Sequence, residues 1–351
     1  MTGKYVRIAA ACVVAGAAIM AVAARAQTQT QTQAPAPRFT PPRTPWGDPD
    51  LQGIWPGTES LGIPLQRDPA LGTRAFLTEA EFQDRQKNAQ RQVDAMNEEF
   101  DLETADTANA GAVGSATSPP PHWQERGKPS HQASLIVEPA DGRMPPLTAE
   151  AQARQAADAA ARRGRGPADS YLDRSLYDRC LTRGVTGSIL PVIYNNGNEI
   201  VQAPGYVVIR NEMIHESRIV PLDGRPRVSP AIRQWMGDSR GHWEGDTLVV
   251  ETRNLTNRTG INQGNNPRHS EAMTLVERFT LSGPDTLQYR VTVNDPQTWT
   301  RPWTIEFPWT RDSNYLLFEY SCHEGNYAMR NLLSGARADE KSAALPRQPG
   351  R

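Results

Sequence analysis

TLVERFTLSGPDTLQYRVTV, residues 274–293, decides the class of the fold. Two runs alternate apolar with polar side chains, and Gly283-Pro284-Asp285 stands between them. Period-two alternation is what a strand with one dry and one wet face requires, and a short connector rich in turn residues folds such a pair into a hairpin. The pattern extends in both directions. EIVQA (199–203), YVVIRNE (206–212), MIHESRIVP (213–221), SRGHWEG (239–245) and DTLVVETRNL (246–255) precede it; RPWTIEFPW (301–309) and YLLFEYSC (315–322) follow. The connectors Pro204-Gly205, Asp223-Gly224, Gly245-Asp246 and residues 311–314 are turn chemistry. Such short spacing predicts antiparallel neighbours in chain order.

A run of eight or more such strands has two edges to protect. The expectation is therefore a mainly β fold, an antiparallel lipocalin-like barrel, with a two-layer β-sandwich as the alternative. Gly53-Ile54-Trp55 adds to the barrel reading, since a G-x-W on a first strand lets the backbone come close while the indole plugs one end. Nothing in the pattern suits a doubly wound parallel sheet.

The N-terminal half reads differently. Residues 77–101 and 148–163 are made of helix formers behind capping threonines, Thr78 with Glu81 and Thr148, and both are polar nearly all round, which predicts surface helices. A short strand is expected at 134–138 and a loop without periodicity at 104–121. Residues 27–45, rich in Gln and Pro, and the tail 342–351 bury too little apolar surface to offset their ordering entropy and are expected to be disordered. Between them, 46–341 reads as a single domain with helical and loop insertions at about 77–165.

Residues 1–26 carry Lys4 and Arg7, an alanine-rich apolar run and Ala24-Arg25-Ala26, the pattern of a secretory signal peptide cleaved near Ala26. Its removal takes away Lys4, Arg7 and Arg25 and no acid, moving the formal charge from -1 to about -4. A weakly acidic chain with interspersed charges has no electrostatic footprint for nucleic acid. No later stretch is apolar enough for a transmembrane segment. The expected location is periplasmic or secreted. Cys180 and Cys322 are then an even pair in an oxidising compartment, which predicts a disulfide.

That pairing removes Cys322 as a nucleophile and leaves its neighbour. If 315–322 continues as a strand, Glu319, Ser321 and His323 share one face and Phe318, Tyr320 and Cys322 the other. His323 and His215 are the candidate bases, Arg218 the oxyanion or carboxylate partner, and Asp295 the orienting acid. Trp299, Arg301 and Trp303 would form an aromatic wall for a ligand, with Glu251 beside it, although alternating tryptophans also suit a core. Glu251, Glu277 and Arg290 have their plainer home on the wet face of a sheet; His242 and His269 read as solvated. No dinucleotide fingerprint, phosphate loop, G-x-S-x-G, H-E-x-x-H or C-x-x-C is present, so neither a cofactor nor a metal is expected.

PDLQGIW, NEMIHESRIVPLDGRP, GDSRGHWEGDTLVVET, NDPQTWTRPWT and YSCHEGNYAMRNLLSGARADE together resemble a family of exported β-rich bacterial proteins. The resemblance runs from about Trp46 to Lys341. It implies secretion, a β-rich body and paired cysteines in the D-R-C and C-H-E-G-N segments, with no activity attached. The function expected from the residues is a β-barrel accommodating a small apolar or aromatic ligand, with cofactor-independent acid/base chemistry of the lyase, isomerase or hydratase type. A non-catalytic glycan- or lipid-binding envelope protein and a metal-dependent hydrolase or lyase are the alternatives.

Overall fold

Ten strands carry the fold: β1 (Gly53–Ile54), β2 (Ile136–Glu138), β3 (Asn198–Ala203), β4 (Tyr206–Asn211), β5 (Ser217–Pro221), β6 (Asp238–Glu244), β7 (Thr247–Arg253), β8 (Thr274–Gly283), β9 (Thr286–Asn294) and β10 (Trp303–Thr310). The computed structural model describes residues 39–98, 125, 127–262, 267–322 and 327–344. The signal-like segment 1–26, the tether up to residue 38, the loop 104–121, His323 and the last seven residues lie outside them.

The strands pair antiparallel in two sheets, one of order β1-β3-β4-β5 and one of order β2-β10-β9-β8-β7-β6. From β3 to β10 each strand lies beside its chain neighbour, as the hairpin signals predict, except at one seam. Between β5 and β6 the ladder stops, so the sheets do not close into a barrel; a sandwich-like arrangement of two sheets is what forms. The seam has a local cause. Pro221 ends β5, and Pro226 and Pro230 follow it without the N–H that a further ladder needs.

One apolar cluster joins the two sheets. Ile200, Val207, Ile209 and Val220 meet Leu275, Phe279, Tyr289, Val291, Ile305 and Phe307 in it. Tyr289 stacks on Trp309 with centroids 5.0 Å apart, and Phe279 meets Trp309 edge-on at 5.7 Å. Trp55 closes one end: it is fully buried, its indole N–H donates to Leu51 O (2.9 Å), and the Arg311 guanidinium lies 4.3 Å over its ring. Gly53 makes that approach possible. Its φ is +135°, and a Cβ there would stand 2.6 Å from Arg311 Nη1.

Into this core the chain places an ion pair. Arg218 of β5 donates twice to Glu277 of β8, at 2.5 and 2.8 Å, and the Tyr289 hydroxyl donates to the same carboxylate at 3.1 Å. Glu277, expected on the wet face, is fully buried. Its odd position in β8, shared with Leu275, Phe279 and Leu281, turns it inward, and Arg218 shares its face with Val220. One charge comes from each sheet, so the pair spans the interior.

Four helices decorate the sheets among the described residues: α1 (Glu79–Glu98), α2 (Ala149–Ala161), α3 (Gly184–Ile189) and α4 (Ala328–Ala344). Both capping threonines act as expected. Glu81 accepts from the Thr78 N–H (2.8 Å), and Thr148 Oγ1 accepts from the Ala151 N–H (3.1 Å). No described helix is long and apolar enough to cross a membrane.

Three expectations are corrected. Residues 315–322 are not a strand but an irregular strap, because their side chains, not a ladder, hold them to the body. In MIHESRIVP only Ser217–Pro221 is strand; Met213–His215 is a tight turn. The last seven residues of the tether, 39–45, are docked: Thr44 is buried and Arg43 pairs with Asp246. Unforeseen are α3 and α4, the latter taking in residues 342–344 of the expected tail.

Removing one partner of a buried pair strands the other charge, at about 3–5 kcal/mol, whereas an apolar pair of similar volume is often neutral or better. Glu277→Gln is therefore expected to lower unfolding free energy by about 3 kcal/mol in urea denaturation. The double variant Arg218→Met with Glu277→Leu should recover most of that loss.

Candidate functional site

Among the described residues, Arg218, Asp295, Trp299, Trp303 and Glu251 are each engaged in separate places. Arg218 is engaged by Glu277 inside the core. Asp295 is buried and accepts from Ser270 N–H and Oγ–H and from Thr298 Oγ–H, all at 2.6 Å, so it ties the end of β9 to its neighbouring loops. Trp299 and Trp303 pack edge to face at 5.4 Å and are 2% and 1% exposed, which makes them core and removes them as a ligand wall; Arg301 is exposed beside them. Glu251 pairs with Arg227 and Arg253 at the surface. His269, expected in solvent, is buried, its Nε2 2.6 Å from Thr259 Oγ1, and burial lowers its pKa. His242 is exposed beside Glu244 as expected. His215 closes the turn that leads into β5, and His323 lies outside the described residues.

Backbone strain points to a different place. Of four described non-glycine residues with positive φ, Asn254 (57°) follows β7, and the other three are Cys180 (54°), Asn195 (56°) and Ile214 (58°). A left-handed conformation costs L-residues about 1–3 kcal/mol, most of all a β-branched one such as Ile214, and persists only where the surroundings enforce it. All three positions border one cluster. Ile214, Val192 and Met213 form a small apolar core of their own, against which Tyr177, Tyr194 and Tyr320 pack. The Tyr177 hydroxyl is hydrogen-bonded to that of Tyr194 and, at 2.9 Å, to that of Tyr320. Burial, followed by those bonds, pushes the Tyr177 phenol far above its ordinary value, and burial pushes Tyr320 up to about 12. Tyr177 and Tyr320 therefore stay protonated at neutral pH.

Behind the tyrosines lies Arg183. Its guanidinium carbon is 5.2 Å from the Tyr177 ring centroid, the residue is 2% exposed, and Nε, Nη1 and Nη2 are buried without a hydrogen-bond partner among the described residues. Burial pulls its pKa down to about 10, so it remains a cation. The acid that its charge feels is Glu216, yet Glu216 Oε2 accepts from the backbone N–H of Arg183 (3.4 Å) and from Ser188 Oγ (3.2 Å), while Oε1 accepts from Thr182 Oγ1 (2.5 Å). Burial raises the Glu216 pKa, and those hydrogen bonds do not cancel it. The site thus holds a cation without a bonded anion and an acid that keeps its proton longer than usual.

The strap covers the cluster. Glu212, 2% exposed at the end of β4, accepts from the Tyr315 hydroxyl (2.7 Å), the Phe318 N–H (3.2 Å), Asn195 Nδ2 (2.9 Å) and the Gly197 N–H (3.2 Å). Further along, Tyr320 joins the phenol network and Cys322 is bonded to Cys180. The disulfide predicted from cysteine parity is therefore present, closing a separation of 142 residues. Between the strap, α4 and the 177–180 segment lies an open groove of about 590 Å³, with Tyr177, Tyr320, Asn195, the disulfide, Glu319 and Leu332 on its walls.

Sequence reading missed this cluster because its members come from four separate segments, 177–188, 192–197, 212–216 and 315–322, and no single one of them holds the set. One signal was available: LYDRCLTRG holds a tyrosine and an arginine three residues either side of a cysteine expected to be bonded. Comparison with known protein families and with curated proteins finds no match for the chain.

Two predictions follow from the geometry. A carboxyl whose pKa is raised on folding stabilises the fold fully below its unfolded pKa and loses that contribution as pH rises through the folded value. The melting temperature of Glu216→Gln relative to the native protein should therefore increase between pH 4 and pH 7 in paired thermal melts; an unchanged difference would contradict the raised pKa. At Gly197 a Cβ would come within 2.4 Å of Leu317 Cδ2 and 2.7 Å of Glu212 Oε2. Gly197→Ala is expected to loosen the strap, seen as faster proteolysis within 312–322 while the disulfide stays intact.

Proposed function

We propose that this is an exported, periplasmic or secreted protein that takes a small aromatic or apolar ligand bearing one anionic oxygen, a carboxylate or enolate, into the groove over Tyr177 and Tyr320. Arg183 carries the reading. A buried charge without hydrogen-bonded compensation costs on the order of several kcal/mol, and such a group persists where a ligand supplies what the fold withholds. Its guanidinium lies by the Tyr177 ring, where it polarises the phenol network toward donation. The ligand's oxygen then accepts from the tyrosine hydroxyls, with Arg183 as the counter-charge behind them. Tyr177, Leu332 and the disulfide provide apolar contact in the groove. The disulfide supports an oxidising compartment. Trp55 held beneath Arg311 against Gly53 supports reading the two sheets as an opened lipocalin-like roll.

The raised pKa of Glu216 favours a catalytic version of this site. There Glu216 transfers a proton, and the phenols and Arg183 hold the developing oxyanion, in a cofactor-independent elimination, isomerisation or hydration. The glycan- or lipid-binding alternative loses support with Trp299 and Trp303 in the core.

The test uses 4-hydroxybenzoate and its neutral amide as probes, followed by calorimetry and thermal shift. The carboxylate is expected to bind at least about tenfold tighter than the amide, a difference of about 1.4 kcal/mol. Arg183→Met should abolish that preference while leaving the unliganded protein as stable as before or more so, because it removes an uncompensated buried charge. Equal binding of acid and amide, or a preference that survives Arg183→Met, overturns the proposal.

A further inference from the structure

On the other side of the 172–180 segment lies a second concavity, of about 570 Å³, with a different chemistry. Arg162, Arg174, Arg179, Arg258 and Arg268 line it. They come from the C-cap of α2, from the loop after it and from the connection between β7 and β8, so no run in the sequence announces them. The α2 wall is one helix face: Gln155, Asp158, Ala159 and Arg162 follow the spacing of adjacent turns. Two carboxylates, Asp158 and Asp173, share the lining. Five guanidiniums against two acids leave three positive charges in surplus, in a chain whose formal net charge is -1.

The surplus is not absorbed by neighbours. Asp173 is held by Arg165 at 2.6 Å, outside the basin. Asp158 serves Arg268 at 3.3 Å, and Arg174 reaches Asp178 at 3.3 Å. Arg162, Arg179 and Arg258 have no acidic partner among the described residues; Arg179 lies over the Tyr171 ring and Arg258 over the Trp235 ring, each at a little over 5 Å. The Nε atoms of Arg174 and Arg268 are buried without a hydrogen-bond partner. Like charges gathered in a concavity repel one another and focus their field into it. Their planar forks suit bidentate oxyanions.

We propose that this basin is a binding site for a small ligand carrying two phosphoryl groups. A phosphate group bears about 1.5 to 2 negative charges at neutral pH, so a pair of them matches the surplus of three. The volume is that of a small-molecule pocket, within the range of about 300–1,000 Å³. The site is separate from the tyrosine groove and does not depend on that reading.

Inorganic pyrophosphate is the probe, titrated by calorimetry into the whole protein at about 0.15 M ionic strength, where exposed charges are largely screened beyond about 8 Å. Sulfate and orthophosphate are titrated alongside at matched ionic strength. One pyrophosphate per chain is expected, at least about tenfold tighter than sulfate. Arg179→Gln and Arg258→Gln should each weaken it about fivefold or more and together abolish it; as these side chains reach the surface, unchanged thermal melts verify folding. Pyrophosphate binding no tighter than sulfate overturns the proposal. So does binding that survives the double substitution, or that is lost instead in Arg183→Met, which would place the anion at the tyrosines.

Discussion

The bond between Arg218 and Glu277 is the constraint around which the two sheets are arranged. Each sheet contributes one charge to an interior otherwise filled by aromatic and branched aliphatic side chains, and neither charge tolerates that surrounding alone. A one-residue slip of β5 in its ladder with β4 would turn Arg218 to the outer face and leave Glu277 buried without it. Tyr289 reinforces the register, because its hydroxyl needs the same carboxylate while its ring stacks on Trp309. Apolar packing alone allows many near-equivalent dockings of two sheets, and a charged pair in the middle admits far fewer. In this protein the pair therefore specifies the fit of the sheets more than it adds to their stability.

Arg183 is the counter-example within the same molecule. It is as buried as Arg218 and lacks a bonded acid. The difference lies in what surrounds it: three phenols, an acid turned toward other donors, and backbone strained at three bordering positions. Favourable packing elsewhere sustains these local costs. Arg218 thus gives both Nη atoms to a carboxylate, whereas none of the three Arg183 nitrogens is bonded among the described residues.

Much of the β architecture was legible in advance because its determinants are local. A hairpin needs only alternation on both sides of a turn, and each β3-to-β10 neighbour pair within a sheet spans no more than some twenty-five residues, except β7 and β8, which pair across residues 254–273. Even the buried pair could be read by parity: Glu277 keeps step with Leu275, Phe279 and Leu281, and Arg218 with Val220, which places both inward. The strap misleads the same reasoning. YLLFEYSC is rich in strand formers, but without a partner strand in reach its backbone takes no ladder, and the pairing of Glu212 with Tyr315 and Phe318 decides its course. Helix α4 gives a weaker local signal, because Ser334 and Gly335 interrupt its run of helix formers.

The sites were illegible for a related reason. Motifs advertise themselves when one segment supplies all the ligands; here five arginines from three stretches of chain, or three tyrosines about 17 and 143 residues apart, become neighbours only through the tertiary fold. The 172–180 segment is what they have in common. It presents Arg174 and Arg179 to one concavity and Tyr177 and Cys180 to the other, with the disulfide fixing its end. A covalent tie at that point restrains the walls of both concavities together. The bond that seemed at first only to join the ends of a long loop thus holds the single element shared by both candidate sites.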